Sequence, residues 1–161
     1  MTPKKQPART SPDEVTLSRV LDAPRELVFS AWTDPARVAK WWGPGGFTSK
    51  VIAWDSRPGS PIRIDMHAPN GVVYPMNGTM IEVVPPERFV FTAGALDGEG
   101  KSMFDVLTTV TFAAQGGKTR LTLNARVTRK TPAADKHIKG MKAGWTQSLE
   151  RLAGFVAARL K

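Results

Sequence analysis

The chain has 161 residues, of which 41% are hydrophobic and 23% are charged, a composition that fits one globular domain with a single core. Its 23 Lys and Arg exceed its 14 Asp and Glu and give a net charge of +9, and the lack of cysteine excludes disulfides and thiolate metal sites. Because the sequence has neither a run of about 18 apolar residues nor an apolar leader, we expect a cytoplasmic protein with no membrane insertion.

The first segment, residues 1–12, is predicted to be a disordered basic tail. It is rich in Pro, Ser and Lys, has no acidic residue, and carries Lys4, Lys5 and Arg9. The other basic residues are scattered along the chain, and no nucleic-acid-binding motif accompanies them. We therefore predict a single folded domain over residues 13–161 and no nucleic-acid partner.

A β-rich segment at 14–21 opens the domain, and two short helices are predicted to follow it. Pro24 favours the start of the first helix, and Asp34 followed by Pro35 favours the N-terminus of the second. The turn Gly-Pro-Gly-Gly at 43–46 ends the pair.

Two adjacent tryptophans, Trp41 and Trp42, precede this turn. Neighbouring residues of a helix point about 100° apart. We therefore expect one tryptophan to pack under the helix pair and the other, Trp41, to face the entrance of a cavity.

Residues 47–128 show the pattern of six strands joined by hairpins. The sequences Asn70-Gly71 and Gly116-Gly117 are strong turn signals, so the strands are predicted to be antiparallel. Within the segment 72–84, Pro75 and Gly78 indicate an edge position or a bulge.

The C-terminal part is predicted to be one long amphipathic helix. Its apolar residues recur at spacings of three and four. They are Ile138, Met141, Trp145, Leu149, Leu152, Val156 and Leu160.

The order of these elements predicts an α+β helix-grip fold. A curved antiparallel sheet of about seven strands must cover its apolar face, and only the C-terminal helix is large enough to do so. The two short helices after strand one would close one end, leaving a cavity between the sheet and the long helix.

Four stretches carry a resemblance to a known family: "VLDAPRELVFSAWTDPARVAKWWGPGGFT", "YPMNGTMIEVVPPERFVFT", "VTFAAQGGKTRLTL" and "GMKAGWTQSLERLAGFV". Together they resemble the bacterial proteins similar to the C-terminal domain of the Hsp90 ATPase activator Aha1, within the START-like, Bet v 1-like (SRPBCC) superfamily. The resemblance spans about residues 14–158 and implies the helix-grip fold. It implies no single activity, because the superfamily includes lipid carriers, hormone receptors, cyclases and co-chaperone domains.

No motif of the sequence predicts catalytic, metal-binding or cofactor-binding residues. The phosphate-loop-like "GGKT" at 116–119 lacks the required preceding glycine, and His67 and His137 do not have metal-ligand spacing. Four carboxylates lie on predicted strands, namely Asp55, Asp65, Glu82 and Asp105. A carboxylate that faces the cavity could act as an acid or base. We favour the alternative in which Asp65 is solvated and Glu82 or Asp105 pairs with a nearby Arg or Lys.

Large apolar and aromatic side chains are the candidates for the cavity wall, although they could equally form a plain core. The predicted ligand-binding residues are Trp41, Phe47, Trp54, Ile64, Met66, Tyr74, Phe91, Phe104, Val110, Phe112, Met141 and Trp145. Methionine adapts to varied ligands, and Tyr74 would offer one polar group within an apolar wall.

The function expected from these features is the binding of an apolar, lipid-like or aromatic small molecule, without a cofactor, by a monomer or homodimer. A first alternative is an interaction domain linked to Hsp90, which the family resemblance suggests. A second is a cyclase-like enzyme that uses a cavity carboxylate or Tyr74.

Overall fold

The computed structural model describes residues 13–97 and 99–159. The predicted tail over residues 1–12 and the last predicted stripe residue, Leu160, lie outside the described residues. The elements in chain order are β1 (Glu14–Leu21), α1 (Arg25–Thr33), α2 (Pro35–Trp41), β2 (Thr48–Ala53), β3 (Pro61–His67), β4 (Val73–Val84), β5 (Arg88–Ala95), β6 (Phe104–Gln115), β7 (Lys118–Lys130), a 3₁₀ turn (Pro132–Ala134), α3 (Asp135–Lys139) and α4 (Met141–Arg159).

In the described part of the chain, seven strands form one antiparallel sheet in the order β1-β7-β6-β5-β4-β3-β2. Helices α1 and α2 connect the two edge strands, β1 and β2. Helix α4 contacts β1, α1 and α2 and covers the inner face of the sheet. The predicted α+β helix-grip architecture, with two short helices after strand one, is therefore confirmed.

Local chemistry explains where several of these elements begin and end. Asp34 caps α2, because its Oδ1 accepts a hydrogen bond of 3.0 Å from the backbone N–H of Ala36. The two predicted hairpin turns are present, and the glycines in them supply the positive φ angles: +90° at Gly71, +57° at Gly116 and +82° at Gly117.

The prediction of one uninterrupted C-terminal helix is wrong. The chain passes through the 3₁₀ turn and the five-residue α3, and continues after Gly140 as the 19-residue α4. Gly140 keeps helical backbone angles (φ −86°, ψ −2°), but its N–H bonds to the carbonyl of Ile138, so the helical hydrogen-bond pattern is interrupted there. Apart from proline, glycine is the residue least favoured inside a helix, so a break there costs little. The apolar stripe runs across the break, with Ile138 buried and Met141 packed on the core, so spacing alone does not reveal it. No described helix combines the length and the apolar character needed to cross a bilayer.

The edge position suggested by Pro75 and Gly78 is wrong, whereas the alternative of a bulge in this strand is confirmed, although not at either residue. Strand β4 lies inside the sheet between β3 and β5, and its register shift falls between Met80 and Glu82. Gly78 has a different role. A Cβ atom at this position would collide with the backbone carbonyl of Thr92 on β5, so the close approach of the two strands requires glycine.

Candidate functional site

The side chains on the inner face of the sheet change in size along its central strands. On β5, Phe89 and Phe91 are followed on the same face by Ala93 and Ala95, so the side chains shrink from rings to methyl groups. Alternate residues of a strand share one face, which makes this change visible along a single strand. Phe89 faces a solid core, whereas Phe91 and the two alanines line open space.

The solid half is a cluster of aromatic rings, here called the packed end. It consists of Phe29, Trp32, Trp41, Trp54, Phe89 and Phe112, all buried. Trp32 lies 4.6 Å from Trp41 between ring centroids, and 6.1 Å from Phe89. The indole Nε1 atoms of Trp41 and Trp54 donate hydrogen bonds to the carbonyls of Ala31 (3.0 Å) and Trp32 (2.7 Å). These hydrogen bonds hold helices α1 and α2 against the sheet. They also keep both indole rings within the packed end, where a ligand does not reach them.

The open half is a pocket of about 610 Å³ between the sheet and the C-terminal helices, partly open to solvent and here called the sheet–helix pocket. Its sheet side includes Met66, Tyr74, Phe91, Phe104 and Thr108. Its helix side includes His137, Met141, Trp145 and Ser148, and the loop after α2 adds Trp42 and Phe47. The lining also includes small residues, namely Gly43, Ala93, Gly94, Ala95, Gly140 and Gly144.

Trp42, not Trp41, lines this pocket, so the expectation that Trp41 faces the entrance is wrong. Trp41 is 0% exposed within the packed end, and Trp42 is 4% exposed with its ring 5.7 Å from that of Trp41. Trp42 lies just beyond α2 in an extended conformation, with φ −66° and ψ 135°. The 100° step between helical neighbours therefore does not apply, and both rings reach the interior.

Two tryptophans form an aromatic corner of the pocket. The ring of Trp42 meets that of Trp145 edge to face at 5.3 Å, and Phe91 lies 5.9 Å from Trp42. On its other side Trp145 stacks on Trp32 of the packed end, at 6.2 Å with an interplanar angle of 21°. The corner is thus supported from behind by rings that do not move easily, because interiors are close-packed.

Helix α4 holds the pocket loop that follows Trp42 through polar contacts. Arg151 Nη1 donates to the backbone carbonyls of Trp42 (3.3 Å), Gly43 (3.1 Å) and Pro44 (3.1 Å). The hydroxyl of Ser148 accepts a 3.0 Å hydrogen bond from the N–H of Gly43. A guanidinium is suited to such a cluster because its donors are fixed in one plane. Arg151 therefore positions one wall of the pocket.

Of the predicted ligand-binding residues, the structure brings together Phe47, Met66, Tyr74, Phe91, Phe104, Met141 and Trp145 around the pocket. The others lie elsewhere in the core: Trp41, Trp54, Ile64, Val110 and Phe112. Val110 and Phe112 lie on the inner face of β6, as predicted, but in the part of the strand at the packed end and not in the part that lines the pocket. The alternation of side chains along a strand shows which face of the sheet a residue occupies, but not how far along that face it lies. The binding role of the lining residues stays a prediction.

Sequence reasoning missed several lining residues, among them Trp42, Thr108, His137 and Ser148. His137 stacks on Phe104, with ring centroids 6.1 Å apart. The signal that could have located the pocket is the run Ala93-Gly94-Ala95 after two phenylalanines on β5. Small residues in a strand otherwise rich in aromatics indicate space or a close approach.

The strand carboxylates lie outside the pocket. Both oxygens of Glu82 accept from Arg88, at 2.9 and 3.0 Å, and Asp105 pairs with Arg129 at 3.0 Å. The Arg88 hydrogen bonds hold the pKa of Glu82 below its ordinary value, the opposite of what an acid catalyst at neutral pH requires. The predicted pairing of Glu82 or Asp105 with a basic residue is therefore confirmed. The expectation that Asp65 is solvated is wrong, because its side chain is only 21% exposed and accepts a 2.9 Å hydrogen bond from Arg63. Asp55 pairs with Arg57.

No Asp or Glu of the described residues lines the pocket, and no described group of three His, Cys, Asp or Glu could hold a metal ion. A carboxylate-based cyclase mechanism therefore has no suitably placed group among these residues. The cyclase-like alternative also named Tyr74, and this residue does line the pocket.

A seven-stranded antiparallel sheet closed by a C-terminal helix, with a pocket between them, defines a helix-grip protein of the START-like, Bet v 1-like class. The chain belongs to the family described as activator of Hsp90 ATPase homolog 1-like protein, whose model matches residues 22–157. Members of this fold class are generally built to bind ligands. No curated protein sequence matches the chain.

Solved structures agree with this assignment. A protein from Chromobacterium violaceum is 32% identical with a TM-score of 0.76, and the match covers 91% of this chain and 98% of that one. An AHSA1 protein from Silicibacter pomeroyi is 26% identical with a TM-score of 0.78, covering 91% and 99%. A protein from Arthrobacter aurescens, 19% identical with a TM-score of 0.82 over 91% and 87%, shows the shared fold alone.

Proposed function

We propose that this protein binds an apolar or aromatic small molecule in the sheet–helix pocket. The observation that carries the proposal is the volume of about 610 Å³ enclosed by aromatic and methionine side chains. Pockets of about 300–1,000 Å³ with mostly apolar walls and a few polar groups are typical of small-molecule sites. We propose a cytoplasmic location, as expected from the sequence.

The contrast between pocket and packed end supports this proposal. The same sheet and helix close completely around Trp32 and Phe89, both 0% exposed, so the fold is able to fill its interior. At the pocket end, Ala93 and Ala95 occupy inner-face positions of β5 where larger side chains would fill the space. An unfilled volume loses dispersion contacts, and a ligand would restore them.

The first test is native mass spectrometry of freshly purified protein, followed by thermal-shift measurements with a library of apolar and aromatic compounds. We expect a co-purifying mass or a rise in melting temperature with part of the library, because a ligand that binds only the folded state stabilises it. The same spectra separate a monomer from a homodimer. The absence of both a bound mass and any thermal shift would contradict the proposal.

The control for this test is the Ala93→Leu variant. Ala93 lies in the pocket wall, and leucine adds bulk inside the open space without a new charge. We expect the variant to lose the thermal shifts seen with the unaltered protein. Shifts that persist unchanged would mean that the compounds bind outside the pocket.

The alternative of an interaction with Hsp90 rests on the family description alone. It predicts that adding the protein changes the ATPase rate of Hsp90 in a saturable manner. An unchanged rate at high micromolar concentration would remove this alternative without affecting the pocket proposal.

A further inference from the structure

A buried hydroxyl without a partner faces the sheet–helix pocket. Thr108 is 2% exposed and lines the pocket, and its Oγ1 forms no hydrogen bond within the described part of the chain. Among the same residues, the one polar side-chain atom that is both sealed from solvent and unpaired is Trp32 Nε1. Thr108 Oγ1 is therefore unpaired but not sealed, and it is accessible from the pocket.

The other buried hydroxyls of the described chain do have partners. Thr119 Oγ1 donates to the carbonyl of Ala23 at 2.8 Å, and Ser148 Oγ accepts from the N–H of Gly43 at 3.0 Å. Buried polar groups are normally hydrogen-bonded, and an exception calls for an explanation. Thr108 is the exception: Ser148 also lines the pocket, but its oxygen is already bonded to the N–H of Gly43.

Thr108 lies at the inner end of the pocket, beside flat walls. Along the inner face of β6, Thr108 is the last pocket-lining residue before the buried Val110. Across the sheet it pairs with Phe91, whose ring lies 5.9 Å from that of Trp42. A ligand that reaches the inner end therefore meets aromatic faces along its length and one hydroxyl at its tip.

A ligand filling this space must replace whatever water solvates the Thr108 hydroxyl. If the ligand ends in a purely apolar group, the hydroxyl loses its hydrogen bonds and affinity falls. If it ends in a neutral hydroxyl or carbonyl, the hydrogen bond is retained. A charged end would be desolvated next to a single neutral hydroxyl, which is unfavourable.

We propose that the ligand is a flat apolar molecule ending in a neutral hydroxyl or carbonyl group, and that Thr108 Oγ1 hydrogen-bonds this group at the inner end of the pocket. The inference rests on the proposed function of the pocket. Tyr74 and His137 also offer polar groups, but both are more exposed than Thr108 and can be satisfied by water in the absence of a ligand. Thr108 is thus the residue that determines which ligands are accepted.

The test uses two matched pairs of compounds: 2-naphthol with 2-methylnaphthalene, and 4-hydroxybiphenyl with 4-methylbiphenyl. Their dissociation constants are measured by NMR titration with the unaltered protein, with Thr108→Val, and with the control Thr111→Val. Valine keeps the shape of threonine, and Thr111 is an exposed residue of the same strand. We expect each hydroxyl compound to bind the unaltered protein about tenfold more tightly than its methyl partner.

In Thr108→Val we expect each hydroxyl compound to bind more weakly, so that its preference over the methyl partner disappears. Thr111→Val should retain the preference. Thr108→Val should also melt at the same or a higher temperature, because no intramolecular hydrogen bond is lost. An unchanged preference in Thr108→Val would overturn the role of Thr108 and leave the pocket function standing. Failure of all four compounds to bind, while other members of the apolar library bind, would overturn the proposed ligand class alone. Failure of the whole library, with no co-purifying mass, would overturn both.

Discussion

The packed end and the sheet–helix pocket use the same strands and the same C-terminal helix, yet one is solid and the other open. Along β5 the change takes place between Phe89, which lies outside the pocket, and Phe91, the next residue on the same face, which lines it. Along β6 it takes place between Val110 and Thr108. The difference shows that a helix-grip fold need not be hollow throughout, since side-chain size decides locally where space remains.

Trp42 and Arg151 lie where the two regions meet. The ring of Trp42 contacts Trp41 and Trp54 on one side and Trp145 on the other. Arg151 fixes the backbone at Trp42 to α4. The packed end thereby supplies a rigid support for the pocket wall, and the comparison predicts that substitutions in the two regions have different consequences.

The largest contrast is expected between phenylalanine-to-alanine substitutions in the two regions. Phe89→Ala removes a ring that is 0% exposed in the packed end and should cost about 3–5 kcal/mol of unfolding free energy. Phe47→Ala removes a half-buried pocket ring that contacts Tyr74 and should cost about 1 kcal/mol. Urea unfolding measures both, and equal losses would mean that the two ends are equally packed.

A smaller contrast is expected when alanine is enlarged. Ala31→Leu adds three carbons beside Trp41 in the packed end and should destabilise the protein by about 1–3 kcal/mol through overpacking. Ala93→Leu adds the same atoms to the pocket, where space exists, and should change stability by less than about 1 kcal/mol. Melting temperatures in the absence of ligand provide the measurement, and a reversed order would contradict the assignment of the open region.

The smallest contrast in stability is expected between two arginine substitutions on α4, one at the boundary and one far from it. Arg151→Met keeps the aliphatic stem but removes the donors to the loop carbonyls, at a cost of about 1 kcal/mol, and should weaken ligand binding as the loop loosens. The control is Arg159→Met near the end of α4, where the guanidinium lies 4.8 Å from the Phe155 ring centroid, far along the helix from the loop. If the two variants bind the ligand with equal affinity, the proposal that Arg151 positions the pocket loop for binding is wrong.

Most of the fold could be predicted because the signals are local. The Asp34 cap, the Asn70-Gly71 turn and the three-four spacing in α4 each depend on residues close in sequence. The break at Gly140 escaped prediction because the apolar stripe crosses it, and both Ile138 and Met141 still face the core. An apolar pattern records which side is buried, not whether the backbone is continuous.

The pocket could be predicted less well, since it depends on distances between elements. The inward faces of the strands were identifiable, but Ile64 and Phe104 share that property while only Phe104 lines the pocket. Trp42 was misjudged because the exact end of α2 decides its direction, and helix ends are the least certain part of a sequence-based assignment. Thr108 gave no sequence signal, because its importance comes from lacking a partner.

The most direct test of the open and solid regions is a set of intermolecular NOEs between bound 2-naphthol and the five tryptophans of the protein, assigned with single Trp→Phe variants. We expect NOEs from the ligand to the ring protons of Trp42 and Trp145, which line the pocket. We expect none to Trp41 or Trp54, whose indole groups are hydrogen-bonded within the packed end. Ligand NOEs to Trp41 or Trp54 with none to Trp42 and Trp145 would contradict the account.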